Sequence, residues 1–457
     1  MAMEQLEAFT YSAKMQESAR HYQAAAQVLP GGVTANIKYF EPHPLWMEKG
    51  KGSKLYDVDQ NEYIDYLLCY GALILGHGHP RVNEAVIKQM EKGGTAVFGA
   101  PHELETVMAR RLAQLYRGIE MVRFTNSGLE ATLLAIRIAM AYTGKKKLAK
   151  FEGHYHGGYD QVLLSVNPKL GMAGSPQRPQ PVPESRGLPD YYVENTIILP
   201  FNDLSATEAL LKEHGEDLAA VILEPVQGGY IPADEEFMQG LRKITDELGI
   251  LLIFDEVKTG FRVGLGGAQG VYGITPDLTA LGKVLGGGFP IGAIGGKQSI
   301  MQVCAPRGSQ DLFTAGTNQE QATETLFHSG TYNGHPIVLA AGMATMDVLE
   351  EEGMLEQLFT RTQILRSQLE EVYARHGIPM QTVGMGSIFS ILLTADPIKN
   401  YRDVSQVDMD LRKRIDYKLL ELGIYSKPMN RYSMSTAHDE EDMARTVEAH
   451  EQALRML

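Results

Sequence analysis

Disulfide frameworks and cysteine-rich zinc sites are excluded for this chain, because its 457 residues contain only two cysteines, Cys69 and Cys304. So little cysteine fits a reducing cytoplasm. A basic surplus is missing too: 42 lysines and arginines face 56 acids, for a net charge of −14, which argues against nucleic acid as a partner. No apolar run approaches the length of a membrane span, and Met1 to Gln27, polar, alanine-rich and helical in character, lacks the apolar core of a signal peptide. Neither membrane insertion nor export is expected. Repeats are absent, and the one stretch of disorder-like composition is Asn167 to Pro189, rich in Pro, Gly, Ser and Gln.

What is present suits a large α/β core with many tight turns: 44% hydrophobic residues and 47 glycines, in a chain longer than a single typical domain. Leu55–Val58 and Glu62–Asp65 are short strand-like runs joined by a polar turn, as in a hairpin. From about residue 71 to 335, apolar strand-like runs alternate with helical segments, which predicts a parallel sheet. Beyond Pro336 come amphipathic segments, among them Gln357 to Arg375 and Met409 to Leu422. The expected division is 1–70, 71–335 and 336–457.

Leu251 to Phe254 is wholly apolar and follows the helical-looking Glu235 to Leu248, the pattern of a strand buried on both faces. Asp255 ends it, where open α/β sheets bind ligands. A lone aspartate there would more simply cap the next element. Lys283, 28 positions later, changes that balance: it lies in Leu281-Gly282-Lys283-Val284 and precedes Gly286-Gly287-Gly288. Glycines allow close backbone approach to a ligand, and a buried lysine shifts its pKa readily. An amine for an aldehyde and an acid for a pyridine nitrogen are the two requirements of pyridoxal phosphate. Lys258 is the nearest rival amine, but it stands too close in sequence to Asp255 to reach the other end of the ring.

A phosphate cradle is expected at Asn126-Ser127-Gly128, where Ser127 and Glu130 have capping-box spacing ahead of a helical segment. Tyr155, among glycines in Gly153-His154-Tyr155-His156-Gly157, is placed to stack on a flat cofactor. A metal held by His154 and His156 is disfavoured, since no carboxylate or cysteine cluster accompanies them. Glu224 ends the apolar run Ala219 to Leu223, either as a loop cap or as a partner for an ammonium or arginine.

Taken together, Pro30-Gly31-Gly32-Val33, Leu75-Gly76-His77-Gly78-His79-Pro80, Asn126-Ser127-Gly128, Tyr155-His156-Gly157, Glu224-Pro225-Val226, Asp255-Glu256-Val257, Gly260-Phe261-Arg262, Gly282-Lys283 and Ser329-Gly330-Thr331-Tyr332 resemble the class III aminotransferases. The resemblance spans nearly the whole chain and is closest to the glutamate-1-semialdehyde aminomutase branch. It implies the PLP-dependent transferase fold type I: a large domain with a mostly parallel sheet, and a smaller α+β domain built from both chain ends. It implies Lys283 as the lysine that holds the cofactor and shuttles protons, Asp255 opposite the pyridine nitrogen, and Tyr155 and Val226 on the ring faces. Ser127 and Gly128 would take the phosphate, with His156 and Glu224 also around the cofactor. Thr331 would reach the phosphate of a neighbouring subunit, so a homodimer with shared active sites is implied. The loop at 167–189 would be a lid or a flexible excursion.

The resemblance breaks at substrate-side positions. Where the aminomutases carry an arginine after Pro-Gly-Gly-Val, this chain offers Lys38, which lacks the bidentate fork. Where they have Gly-Asn, it has Gly228-Gly229, and where they have an acid near the C-terminus it has Asn430, followed by Arg431. Arg431 is either a carboxylate binder or a solvated arginine at a domain edge. Lys38, Tyr70 and Arg431 are the candidate substrate contacts. Transamination between a small-molecule amino donor and a carbonyl acceptor is the expected reaction, with a carboxylate-bearing donor such as a β- or ω-amino acid. An intramolecular aminomutase or a PLP racemase is the alternative, and a non-catalytic relative the third possibility.

Overall fold

The computed structural model describes residues 13–306 and 325–457. At its centre is a seven-stranded sheet whose order, from one edge to the other, is Met121–Thr125, Gly292–Gly296, Leu278–Gly282, Leu251–Asp255, Leu218–Leu223, Lys147–Phe151 and Thr196–Leu199. The last five run parallel, while Gly292–Gly296 is antiparallel to both its neighbours. Leu218–Leu223 and Leu251–Asp255 are buried at every position, because helices cover both faces of a parallel sheet and leave no side for polar alternation. This is the α/β architecture of the fold type I PLP transferases.

Helix Gly128–Thr143 lies on the sheet and buries Ala131, Leu134, Ala135, Ile136, Ile138 and Ala139. The strand beneath its start, Gly-Ala-Ile-Gly-Gly, is small for a reason: a Cβ on Gly292 would stand 2.0 Å from Ser127 O. Only glycine lets the helix N-terminus come that close to the sheet. Helix Pro336–Leu349 packs on Pro80–Gly93, on Glu103–Leu115 and on the short turn Lys283–Gly286. A Cβ on its Gly342 would stand 2.1 Å from Leu285 O.

The smaller part joins both chain ends. The expected hairpin forms as Lys54–Asp57 against Glu62–Asp65, with Leu55 opposite Tyr63. C-terminal Ile424–Tyr425 then adds in parallel to Glu62–Asp65. A second, three-stranded sheet places Ile388–Leu392 between Gln381–Met385 and Tyr432–Ser433. Helices Met354–Arg375, Met409–Glu421 and Glu440–Arg455 pack with it, the first two over the amphipathic segments expected from the sequence. Of the N-terminal arm, Gln16–Ala25 is helical, and the first twelve residues lie outside the described part. Among the described residues no helix is long and apolar enough to cross a membrane.

Asn167–Pro189 departs from its disorder-like composition. Gly174–Ser175 pairs with Arg178–Pro179 in a small hairpin, and Leu164 bridges Pro183. Tyr401 Oη donates to Asn167 Oδ1 and Pro168 O, both at 2.9 Å, and Arg402 donates to Ala173 O and Gly174 O, both at 3.1 Å. Besides these local pairings, the segment is anchored by partners more than two hundred residues away, which composition could not reveal.

Gly342→Ala tests the closest helix contact on the lysine turn. Overpacking there is expected to cost about 1–3 kcal/mol, measured as a lower melting temperature of the cofactor-loaded protein. An unchanged melting temperature would show that helix Pro336–Leu349 has room to move.

Candidate active site

Register brings the two residues singled out first into one place. Asp255 pairs with Ala280 in the parallel ladder, so Lys283 stands three residues past the position opposite the aspartate, both at carboxyl ends of their strands. Lys283 adopts φ +47°, a left-handed conformation that costs a lysine free energy and marks a site where the surroundings impose it. It hydrogen-bonds to no described residue. Burial first, then the nearby cations Lys258 and Arg431, push its ammonium down to about 7 against the pull of Asp255 and Glu224.

Asp255 Oδ2 meets His156 Nδ1 at 2.8 Å, and Oδ1 accepts from Val257 N–H at 3.1 Å. Both side chains are buried, and His156 Nε2 is a buried nitrogen with no partner. His154 is occupied as well, since its Nδ1 accepts from Glu224 N–H at 2.9 Å. Burial holds the His154 imidazolium well below its usual range. Each imidazole therefore serves a carboxylate-bearing residue, and among the described residues no group of three metal-ligating side chains exists.

Ser127 caps its helix as expected, its Oγ accepting from Glu130 N–H at 3.2 Å. The reciprocal arm differs from a capping box: Glu130 Oε2 accepts from Asn126 N–H at 2.7 Å, so the Ser127 N–H is not taken by Glu130. Together with Gly128 N–H this makes an anion site, since first-turn amides have no partner within the helix. Gly128 is required here, because its Cβ would lie 2.5 Å from Val257 Cγ1. Val257 also stands 3.3 Å from a Cβ on Gly282, so it is wedged between the anion cradle and the lysine strand. The sequence did not single out Val257; the resemblance put Val226 on a ring face. Val226 is buried in a two-stranded hairpin with Ile231–Pro232. The only signal for Val257 was its place two residues past Asp255.

Tyr155 presents its ring with 43% of its surface open, while its N–H donates to Glu224 Oε2 at 2.8 Å. Glu224 Oε1 pairs with Lys258 Nζ at 2.7 Å, and that ammonium sits 5.8 Å from the Tyr155 ring centroid. Burial alone would raise the Glu224 carboxyl; Lys258, with His154 and His156, outweighs it and holds the group below the usual range. Glu224 is thus no simple loop cap. Lys258, set aside above as the cofactor amine, enters the site in a different role.

The departures at Gly228-Gly229 and Arg431 are one feature. Gly229 has φ +84°, and a Cβ there would meet Arg431 Nε at 3.3 Å and Lys258 Cδ at 3.5 Å. Loss of a side chain at 229 makes room for both cations. The Arg431 guanidinium is partly buried and has no hydrogen-bond or ion-pair partner among the described residues. It lies within electrostatic reach of Glu224, Tyr230 and Tyr70. Tyr70 Oη donates to Ile37 O at 2.6 Å, tying down the short turn Asn36–Lys38, on which Lys38 is exposed. Thr331 is also exposed, next to a segment anchored by Asn126 Nδ2 donating to Asn333 Oδ1 at 3.0 Å.

The donor set fits pyridoxal phosphate: an amine at Lys283, a buried carboxylate at Asp255, free helix amides at Ser127 and Gly128, and an open aromatic face at Tyr155. A pH test follows from the lysine. In cofactor-free protein the neutral amine is the nucleophile, so capture of an aldehyde at Lys283, trapped by borohydride and located by mass spectrometry, should rise with pH through about 7 and then level off. An ordinary lysine would keep gaining up to about pH 10, and that profile would contradict the environment described.

Residues 38–453 match the family model "Aminotransferase class-III". The glutamate-1-semialdehyde 2,1-aminomutase of Natranaerobius thermophilus is 40% identical over 444 residues, covering 96% of this chain and 97% of that protein. An omega-transaminase from Sphaerobacter thermophilus superposes with a TM-score of 0.88 at 38% identity, over 96% of this chain and 97% of its own. A beta-phenylalanine aminotransferase from Variovorax paradoxus does so with 0.81 at 32% identity, over 96% and 93%. With the family model matched over residues 38–453 and the whole fold shared with these relatives, the chain belongs to the class III aminotransferases, enzymes whose cofactor is pyridoxal phosphate.

Proposed function

We propose that the protein is an aminotransferase that moves an amino group from a carboxylate-bearing donor, such as a β- or ω-amino acid, to a keto acid or aldehyde by a ping-pong mechanism. Bound at the site, pyridoxal phosphate supplies an electron sink that acidifies the carbon bearing the donor nitrogen. Lys283 would be the catalytic amine, holding the cofactor's aldehyde and carrying the proton to and from the donor carbon. Its lowered basicity suits it to release and retake a proton near neutral pH. Asp255, oriented by His156, supplies negative charge to the pyridine nitrogen. Ser127 and Gly128 would hold the phosphate through backbone amides, and Tyr155 would cover the ring.

The observation that carries the substrate reading is Arg431, a partly buried guanidinium with no described partner beside Glu224 and Lys283. Leaving such a group unpaired is costly unless a ligand supplies the missing anion. A planar carboxylate matches its fork. Lys38 and Tyr70 line the same side. Exposed Thr331, Tyr332 and Phe327 support a homodimer in which Thr331 of a second copy completes the phosphate site.

A second reading, an intramolecular aminomutase of the glutamate-1-semialdehyde type, is favoured by the 40% identity to such an enzyme over 96% of the chain. On sequence likeness alone it is the better supported of the two. The changes at Lys38, Gly229 and Asn430, all on the substrate side, favour transamination. Mixing the holoenzyme with single donors, glutamate-1-semialdehyde among them, and no acceptor separates these readings through the cofactor's absorption. Lasting conversion to the pyridoxamine form with release of a carbonyl product is expected; return to the starting spectrum with an isomerised amine would make the protein a mutase.

Two substitutions probe the assigned roles. Lys283→Ala should abolish turnover, and retained turnover would refute its role. Arg431→Met should raise KM for carboxylate-bearing donors by about 10- to 100-fold, the value of a charge-assisted bidentate pair; an unaltered KM would remove Arg431 from the substrate site.

A further inference from the structure

The turn that delivers Arg431 is built against its own residue preferences. Asn430 N–H donates to Lys427 O at 3.0 Å, closing a four-residue turn with Pro428 second and Met429 third. Met429 has φ +65° and Lys427 φ +58°. Proline followed by a positive φ is the type II pattern, whose third position favours glycine or asparagine. A methionine held there is strained.

A buried ion pair holds it. Asp416 Oδ2 accepts from Met429 N–H at 2.6 Å. Arg412, one turn back on helix Met409–Glu421, donates Nε to both Asp416 oxygens at 2.8 and 2.9 Å, Nη2 to Asn430 O at 3.1 Å, and Nη1 to Ile391 O. The two side chains are 3% and 1% exposed. Asn430 in turn accepts from Arg431 N–H through its own Oδ1 at 2.9 Å. The backbone on which the Arg431 side chain swings is thus tied, residue by residue, to one charged pair. Burying such a pair seldom adds net stability over apolar packing, so its placement under this turn calls for another explanation.

We propose that Arg412 and Asp416 are positioning residues that aim Arg431 at the substrate carboxylate and so set the preference for acidic over neutral ligands. The inference rests on the carboxylate-binding role of Arg431 given under Proposed function. Neither residue touches the substrate. They act by keeping the Lys427–Asn430 turn in the one conformation that points the guanidinium past Gly229 into the site.

Removing one partner alone would strand a buried charge, so the main test exchanges both: Arg412→Met with Asp416→Leu, a replacement of the kind that is often neutral for stability. Calorimetric titration of the holoenzyme with 3-phenylpropanoate and with its neutral amide gives a ratio of affinities, and thermal melting reports the fold. The wild type should prefer the acid by about tenfold or more. Arg431→Met should lose that preference, and the paired variant should lose most of it while still melting near the wild type. If Arg431→Met loses the preference and the folded paired variant keeps it, positioning is refuted while the role of Arg431 stands. If the wild type shows no preference, or Arg431→Met retains it, the underlying role fails and this inference with it. Should the paired variant melt early, Arg412→Lys decides: it keeps a cation at Asp416 but lacks the fork that also reaches Asn430 O, and an unchanged ratio in that variant overturns the proposal.

Discussion

The parallel pairing of Leu251–Asp255 with Leu278–Gly282 is the constraint on which the rest of the site depends. Its register sets Asp255 opposite Ala280 and so fixes how far the lysine that follows Gly282 stands from the carboxylate. Both strands are buried on both faces, so a slip by one residue would turn every side chain to the opposite face of the sheet. Two layers of helices oppose that slip. The glycines of Gly292–Gly296 then bring the Ser127 cap onto the same edge, and the helix bearing Gly342 presses on the turn that holds Lys283 in its left-handed conformation. The distances between amine, carboxylate and anion cradle are set by the sheet, not by flexible loops.

The charges around this frame are arranged so that one amine is spared a proton. Lys258, Arg431 and Lys283 crowd together with Glu224 and Asp255, and both acids are already engaged: Glu224 by Lys258, Asp255 by His156. Lys283 is left without a dedicated counter-ion among burial and like charge, and its basicity falls to about 7. The same cations supply positive potential on the substrate side. On the proposed reading, an incoming carboxylate would relieve part of that repulsion and so couple substrate binding to the protonation state of Lys283.

Much of this was legible in the sequence where the signal was local. An apolar run ending in Asp255, a lysine before three glycines, a Ser127–Glu130 spacing and the 55–65 hairpin each announce themselves within a dozen residues; the strand, the Ser127 cap and the hairpin form as expected. What was not legible depends on partners distant along the chain. The Glu130 carboxylate turns to Asn126 and not to Ser127, and Val257 is wedged between Gly128 and Gly282. Leu68, Cys69 and Tyr70 form a left-handed turn with φ of +46°, +52° and +57°, a conformation that no propensity of those residues predicts. Asp65 accepts from the N–H groups of Leu67 and Leu68, and Arg262 donates to Gly71 O at 2.6 Å. The apparent disorder of 167–189 vanishes partly for the same reason, since Tyr401 and Arg402 add bonds to its local hairpin.

Strain in this molecule is distributed unevenly, and its distribution separates the two halves of the site. On the cofactor side one residue, Lys283, is strained, and the remaining close approaches fall on glycines 128, 282 and 292, where they cost little. On the substrate side strain falls on residues that carry side chains: Tyr70 in its left-handed turn and Met429 in the turn before Arg431. Glycine at either place would be easier to fold but would also be looser, because glycine allows many alternatives to the observed backbone. A methionine held at positive φ by a buried carboxylate has few alternatives once that hydrogen bond is made. Rigid delivery of Tyr70 and Arg431 is therefore achieved through tertiary contacts that override local preference, and the aim of the guanidinium becomes a property of the small domain's core.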